Sequence, residues 1–218
     1  MSNNFQAVSQ AIRDRKTKKV ISDGKSANNG TLDIRLVDEL IEIAGWAPFH
    51  HPVHPQHRAD NKKIIEPWRV YKLDGAMCNN IINHIDSDDN PGKIPGMLSA
   101  ADAVLNVTWL PDPDPAFTAP EFAPTERNME HIAAASAFIQ NLLIAATAKG
   151  ITTYWSSGGV FNKPRYKKLM QIPEQEILLG SVFLFPDDVT QYEVKDGKLR
   201  EARSSHTSWS RWITTTSA

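Results

Sequence analysis

The sequence predicts a single domain of mixed helix and strand, wrapped around one long buried helix. Three observations predict it. First, the stretch from Arg127 to Gly150, RNMEHIAAASAFIQNLLIAATAKG, has no proline and reaches glycine only at its end. Along it Met129, Ile132, Ala133, Ser136, Ile139, Gln140, Leu143, Ala146 and Thr147 follow the spacing of one helix face. Ala135, Phe138, Leu142 and Ala145 fill a second face. A helix apolar nearly all round is normally buried, and at 1.5 Å per residue this one spans roughly 34 Å. Second, AVLNVTWL from Ala103 to Leu110 and EILLGSVFLF from Glu176 to Phe185 are continuous apolar runs, the mark of central strands. Third, helical and extended patterns alternate irregularly, with no internal repeat.

A chain of 218 residues suits one domain over 1–218, with an insertion at about 51–65 and an extension at about 187–218. The formal net charge is −1, so no global field argues for nucleic acid or an anionic membrane. One cysteine, Cys78, cannot form an internal disulfide, which fits a reducing compartment. MSNNFQAVSQAIRDR lacks the apolar core of a signal peptide. No run approaches the ~20 apolar residues of a membrane span. The expectation is a soluble cytoplasmic protein.

Phe5 to Arg15 reads as an amphipathic helix with Phe5, Val8 and Ile12 on one side. It runs into the basic cluster RDRKTKKV, Arg13 to Val20. That cluster is either a solvated helix end or a phosphate or flavin-edge site, since Arg offers a planar fork of donors, Thr a hydroxyl and Lys a point charge. Residues 22–31 form a polar loop. Asp33 caps a helix, IRLVDELIEIAGWA, with Leu36, Leu40, Ile43 and Ala44 facing in, and Pro48 stops it. Next comes a loop holding His50, His51, His54 and His57 among prolines. Imidazole is a common metal ligand, but no HExxH is present and no helix aligns two of these rings. A solvated or lid-like loop is expected there.

Trp68 to Leu73 reads as a strand, Asp74 caps a helix to about Asp86, and residues 87–96 read as a loop. PDPDPAFTAPEFAPTE, 111–126, is proline-rich and without regular structure. Thr125 or Asn128 caps the long helix, and Gly150 supplies its left-handed end. ITTYWSSGG reads as a strand entering a glycine turn, and Asn162 caps a short helix, KPRYKKLMQI. Trp209 and Trp212 in the polar tail are costly to expose and are expected to pack on something, a partner subunit included.

There is no GxGxxG after a strand, no GxxxxGK[ST] and no GxSxG. Ser156 and Ser157 lack the His–Asp order that would make either a nucleophile.

The order of the remaining motifs resembles the FMN-dependent nitroreductase family, in particular its small-nitroreductase branch. The first helix ends in Arg15-Lys16-Thr17-Lys18-Lys19, against the family's R-[RH]-S-x-[RK]. Ala47-Pro48-Phe49-His50-His51 and then Glu66-Pro67-Trp68 match A-P-[SD]-x-x-x-x-Q-P-W, split by an insertion of about a dozen residues. Ala137 to Ala146, closing on Gly150-Ile151, matches the long-helix motif A-x-Q-N-L-[LM]-L-A-A-x-x-x-G-[LI]. Trp155-Ser156-Ser157-Gly158 matches W-x-[ST]-G, and Leu169 to Pro173 with Gly180 to Pro186 matches the ending. Departures are Lys16 for Arg, Thr17 for Ser, Glu66 for a donor-capable Gln, and Phe49 and His51 for polar or basic residues.

The resemblance implies an α+β fold, a mixed β-sheet flanked by helices, in a homodimer with one FMN in each cleft between subunits. It implies ping-pong transfer of hydride from NADH or NADPH to a small electron-poor acceptor such as a nitroaromatic or quinone. In it Arg15 and Thr17, with Lys16 near them, hold the phosphate and ribityl side, and Lys19 sits by the flavin N1 and C2 carbonyl. Phe49 and His50 belong to the motif that reaches the other subunit's FMN. Trp155, Ser156, Ser157 and Gly158 lie against the isoalloxazine, and Arg200 or Arg203 completes the phosphate site. No side chain need act as a nucleophile. Two other readings remain: a non-catalytic flavin-binding relative, and a metal-binding protein using the histidine loop.

Overall fold

The computed structural model describes residues 3–25, 32–58, 63–117 and 121–213. Two sheets organise the chain. Strands β1 (Lys18–Ile21) and β6 (Glu193–Asp196) form a two-stranded ribbon. Strands β2 (Trp68–Leu73), β3 (Ala103–Trp109), β4 (Thr153–Ser156) and β5 (Ile177–Leu184) form the main sheet in the order β2-β3-β5-β4. Among the described residues the strand pairings are antiparallel, and the sheet is flanked by helices as the α+β expectation has it. The two apolar runs occupy the centre: β3 is buried at every position after Ala103, and β5 from Gly180 onward.

The long helix, α5, spans Glu126–Ala148. Thr125 caps it, its hydroxyl accepting from the Asn128 amide at 3.2 Å, and Gly150 follows in the left-handed region at φ 80°. Its residues Ala135, Phe138, Leu142 and Ala146 pack on Leu105, Val107, Val182 and Leu184 of the sheet. Helix α2 (Ile34–Ala44) covers the same core with Val37, Leu40 and Ala44. A second core on the opposite face joins Val104, Phe183 and Phe185 to Cys78 and Ile81 of α3 (Gly75–Asn83) and to Tyr166 of α6 (Pro164–Leu169). Among the described helices α5 is long and apolar enough for a bilayer, but its burial makes it the core helix of this domain.

Several expectations change. All-round burial of α5 does not occur within one chain: Met129 is 57 % exposed, and Ala133 and Gln140 are exposed beside it. The sheet and α2 cover only part of its circumference. Helix α1 (Asn3–Asp14) packs on α5 but buries no residue of its own. Helix α2 ends at Ala44, where the Gly45 amide caps Ile41 and Glu42 carbonyls, which leaves Ile43 exposed. Residues 94–96, expected at the end of the loop, instead open helix α4 (Ile94–Ala100); Pro95 falls in its first turn, where no amide donor is needed. Asn162 does not cap α6 and instead donates to the Ser157 and Gly159 carbonyls. Trp209 and Trp212 stay exposed in the single chain.

The β1–β6 ribbon went unread in the sequence because both strands are short and polar. Its partners run Lys18↔Asp196 to Ile21↔Glu193. The Gly197 amide then donates to the Thr17 carbonyl at 2.8 Å, which turns the tail back over the end of α1.

Candidate functional site

The ribbon makes the first half of the site. Residues 15–17 connect α1 to β1, and the returning tail lays Arg200 on them. Arg200 Nη1 donates to the Arg15 carbonyl at 2.9 Å, and its Nη2 donates to the Arg13 carbonyl. Arg15 Nη1 donates to Thr17 Oγ1 at 3.4 Å. Burial, then the charges of Arg203 and Arg200, pull Arg15 below its ordinary value. The Arg200 guanidinium thus lies on the Arg15 backbone, and the charge of Arg203 reaches Arg15 as well. Among the described residues Arg15 and Arg203 have no acidic partner within ion-pair distance, and Arg200 has only the exposed Glu201 at 3.9 Å. Positive charge gathered on one segment favours an anion.

The second half is the segment after α5. Gly150 lets the chain reverse into β4, and Ile151, Thr152 and Thr153 line a cavity of about 280 Å³ with Asp14, Lys16, Lys18 and Thr147. The basic segment and the post-helix segment are thus neighbours. Lys19 takes a different direction and lies over the Tyr154 ring, 5.1 Å from its centroid. Trp155 is 37 % exposed at the sheet edge. Ser156 is buried and its hydroxyl accepts from the Gly158 amide at 3.2 Å. Ser157 is exposed, whereas Gly158 is buried against Leu178 and adopts φ 98°, a conformation that favours glycine.

Phe49 and His50 lie elsewhere. Phe49 packs edge-on against Trp68, ring centroids 5.7 Å apart. His50 and His51 address Glu130 of α5, at 3.7 and 3.1 Å. Lys16 and Lys18 sit by Thr147, 17 residues further along α5. At 1.5 Å per residue the separation is roughly 26 Å. Within one chain, Phe49 and His50 do not join the basic cluster.

The described part of the histidine loop is largely exposed, as expected, but it is anchored at several points. Val53 is fully buried, and its amide donates to Ile65 O at 2.9 Å. Arg58 donates twice to Val53 O, Arg69 to His57 O and Arg127 to Pro52 O. His57 Nε2 donates to Pro111 O at 2.7 Å. Among the described residues no group of three or more His, Cys, Asp or Glu is placed to hold a metal ion.

Sequence reasoning missed Lys18, which lines the cavity from the motif's unspecified position, together with Thr152 and Thr153. The placement of Arg200 depends on the ribbon, and the tail offers no periodic signal for it.

The nitroreductase family model matches residues 32–184, about 70 % of the chain. The chain belongs to the nitroreductase family. No curated protein matches it. Among solved structures, a nitroreductase-like family protein from Bacillus cereus is 21 % identical, with 95 % of this chain and 96 % of that one covered and a TM-score of 0.66. A nitroreductase with bound FMN from Desulfitobacterium hafniense is 16 % identical over 98 % and 100 % of the two chains, with a TM-score of 0.56. Another with bound FMN, from Bacteroides fragilis, is 14 % identical over 84 % and 89 %, with a TM-score of 0.54. At these identities the likeness concerns the fold, and it is the fold that brings the ribbon beside the post-helix turn of this nitroreductase-family chain.

Proposed function

We propose that the protein is a dimeric flavin oxidoreductase that binds FMN and moves hydride from NADH or NADPH to a small electron-poor acceptor. The observation that favours this most is the positive charge of Arg15, Arg200 and Arg203 gathered on the segment whose Lys16 and Lys18 line a cavity with Asp14, Thr147 and residues 150–153. That donor set fits a phosphate with a polar chain behind it. Arg15, Arg203 and Thr17 hold the phosphate, Lys16 and Lys18 the polyol side, and Ser156 to Gly158 lie against the ring. FMN, when bound, supplies the hydride chemistry; the chain binds it, orients it and sets the charge around it. The solved nitroreductases with FMN named above support the choice of cofactor.

The same geometry favours a homodimer. His50 is roughly 26 Å along α5 from the cavity, so a site that uses both draws them from two copies. The exposed apolar residues Val8 and Ile12 of α1 and Met129 of α5 give a second copy its surface. The test is to incubate purified protein with FMN, remove free flavin by gel filtration, and record absorbance with light scattering. A yellow dimer is expected. A colourless protein, or a monomer that holds flavin as well as the wild type should, contradicts the reading.

A further inference from the structure

The turn after β4 is shaped by what β5 lacks. Trp155 stands opposite Val182 in the β4–β5 ladder, and Ser156 opposite Ser181. Residues two apart on a strand share a face, so Gly180 lies diagonally across from Trp155, within reach of a large ring. A Cβ placed on Gly180 falls 2.8 Å from Trp155 Cδ1, closer still to the indole nitrogen, and 2.5 Å from the Ser156 carbonyl oxygen. Real Cβ atoms do not approach neighbours so closely. Gly180 has no positive φ, unlike Gly158 at 98°. Its backbone accepts any residue; only the space does not. The ladder is also irregular here: Val107 pairs with Gly180 but Thr108 with Leu178, so Leu179 is an extra residue that bends the strand.

We propose that Gly180 is a positioning residue for the flavin site: its bare backbone lets the Trp155 indole lie across β5, and this fixes the Trp155–Gly158 turn at the height the cofactor needs. The proposal rests on the flavin reading above. Without the glycine, the indole must lift and the Ser156 carbonyl must move, and both changes fall on the segment that faces the ring. Gly180 itself touches no cofactor atom in this scheme.

The experiment uses full-length Gly180→Ala, Trp155→Ala and the double variant. Each is measured for FMN dissociation constant, bound-flavin absorbance spectrum, near-UV circular dichroism and melting temperature. Gly180→Ala is expected to weaken FMN about tenfold or more, the scale of forcing one methyl into a filled site, with a shifted flavin spectrum. Trp155→Ala also weakens FMN. The double variant regains part of the affinity lost by Gly180→Ala, because the indole no longer competes for the space; the Ser156 carbonyl accounts for the remainder. A Gly180→Ala protein with wild-type affinity and spectrum overturns the proposal. So does a Trp155→Ala protein with both unchanged, which decides the matter even if Gly180→Ala does not fold. If the wild type takes up no FMN, the flavin reading fails and the cofactor role of Gly180 with it. The near-UV signals then still report whether Gly180 holds the indole.

Discussion

Lys19 holds its ammonium nitrogen 5.1 Å from the ring centroid of Tyr154. The contact ties the β1–β6 ribbon to the edge strand of the main sheet, and so ties the two halves of the site together. Lys19→Met keeps the apolar stem and removes the cation. It is expected to cost about 0.5–1 kcal/mol and to lower Tm by about 1–4 °C, with Lys19→Arg close to wild type. Thermal melts of the two variants check this, and an unchanged Tm for Lys19→Met would show that the ribbon is held by something else.

On the proposed reading, the arginine cluster separates phosphate recognition from ring recognition. Arg203→Ala removes one charge-assisted partner, worth about 1.5–3 kcal/mol, so FMN affinity should fall about 10- to 100-fold. Riboflavin, which lacks the phosphate, should bind both proteins equally. Parallel titrations with the two flavins decide it. Equal losses for both flavins would move Arg203 away from the phosphate.

The elements that were legible in the sequence are those announced by local pattern and capping. Trp68–Leu73, the two apolar strands, the Asp33 cap and the Thr125 cap stand where pattern and capping rules place them. The misses have physical causes. Helix α4 hides behind Pro95 and Gly96, yet Gly96 is needed because a Cβ there would sit 2.9 Å from the Ser22 carbonyl. The β1–β6 ribbon is held by polar, half-exposed strands whose pairing spans most of the chain, and no local period announces it. The site followed the same rule. Arg15, Lys16 and the Trp155–Gly158 turn sit in local motifs, whereas Lys18 and Arg200 are recruited by long-range pairing.

His57 makes stability depend on pH in a predictable direction. Burial lowers its ordinary value, with the Pro111 carbonyl and the Glu176 charge opposing. The folded state thus binds the proton less readily than the unfolded chain, whose histidine titrates near 6.5. Stability is intact above about pH 6.5 and falls as the pH drops below it, because only unfolding lets the ring take its proton easily. Denaturant midpoints measured between pH 7.5 and 5 should decline, and His57→Gln should flatten that slope. An equal slope in both proteins would refute the assignment.

Beneath that loop, Thr108 Oγ1 donates to Glu176 Oε2 at 2.5 Å, and both residues are buried. Thr108→Val keeps the shape and leaves a buried carboxylate short of a donor. The expected cost is about 1–3 kcal/mol, read as a lower urea midpoint with little change in m-value.

Exposed apolar residues on α1 and α5 give the assembly a direct handle. Val8→Asp combined with Ile12→Asp should convert the dimer to a folded monomer, since neither side chain is buried within the chain. Because the proposed site spans two copies, the same variant should lose FMN. Light scattering and flavin absorbance check the two effects together; a monomer with full FMN affinity would confine the site to one chain.

The most direct measurement is an anaerobic titration of the FMN-loaded dimer with NADH and then, separately, NADPH. At least one of the two should bleach the bound flavin stoichiometrically, and a nitroaromatic or quinone added afterwards should restore its colour. A bound flavin that neither nucleotide reduces would contradict an oxidoreductase and leave a flavin-binding protein in its place.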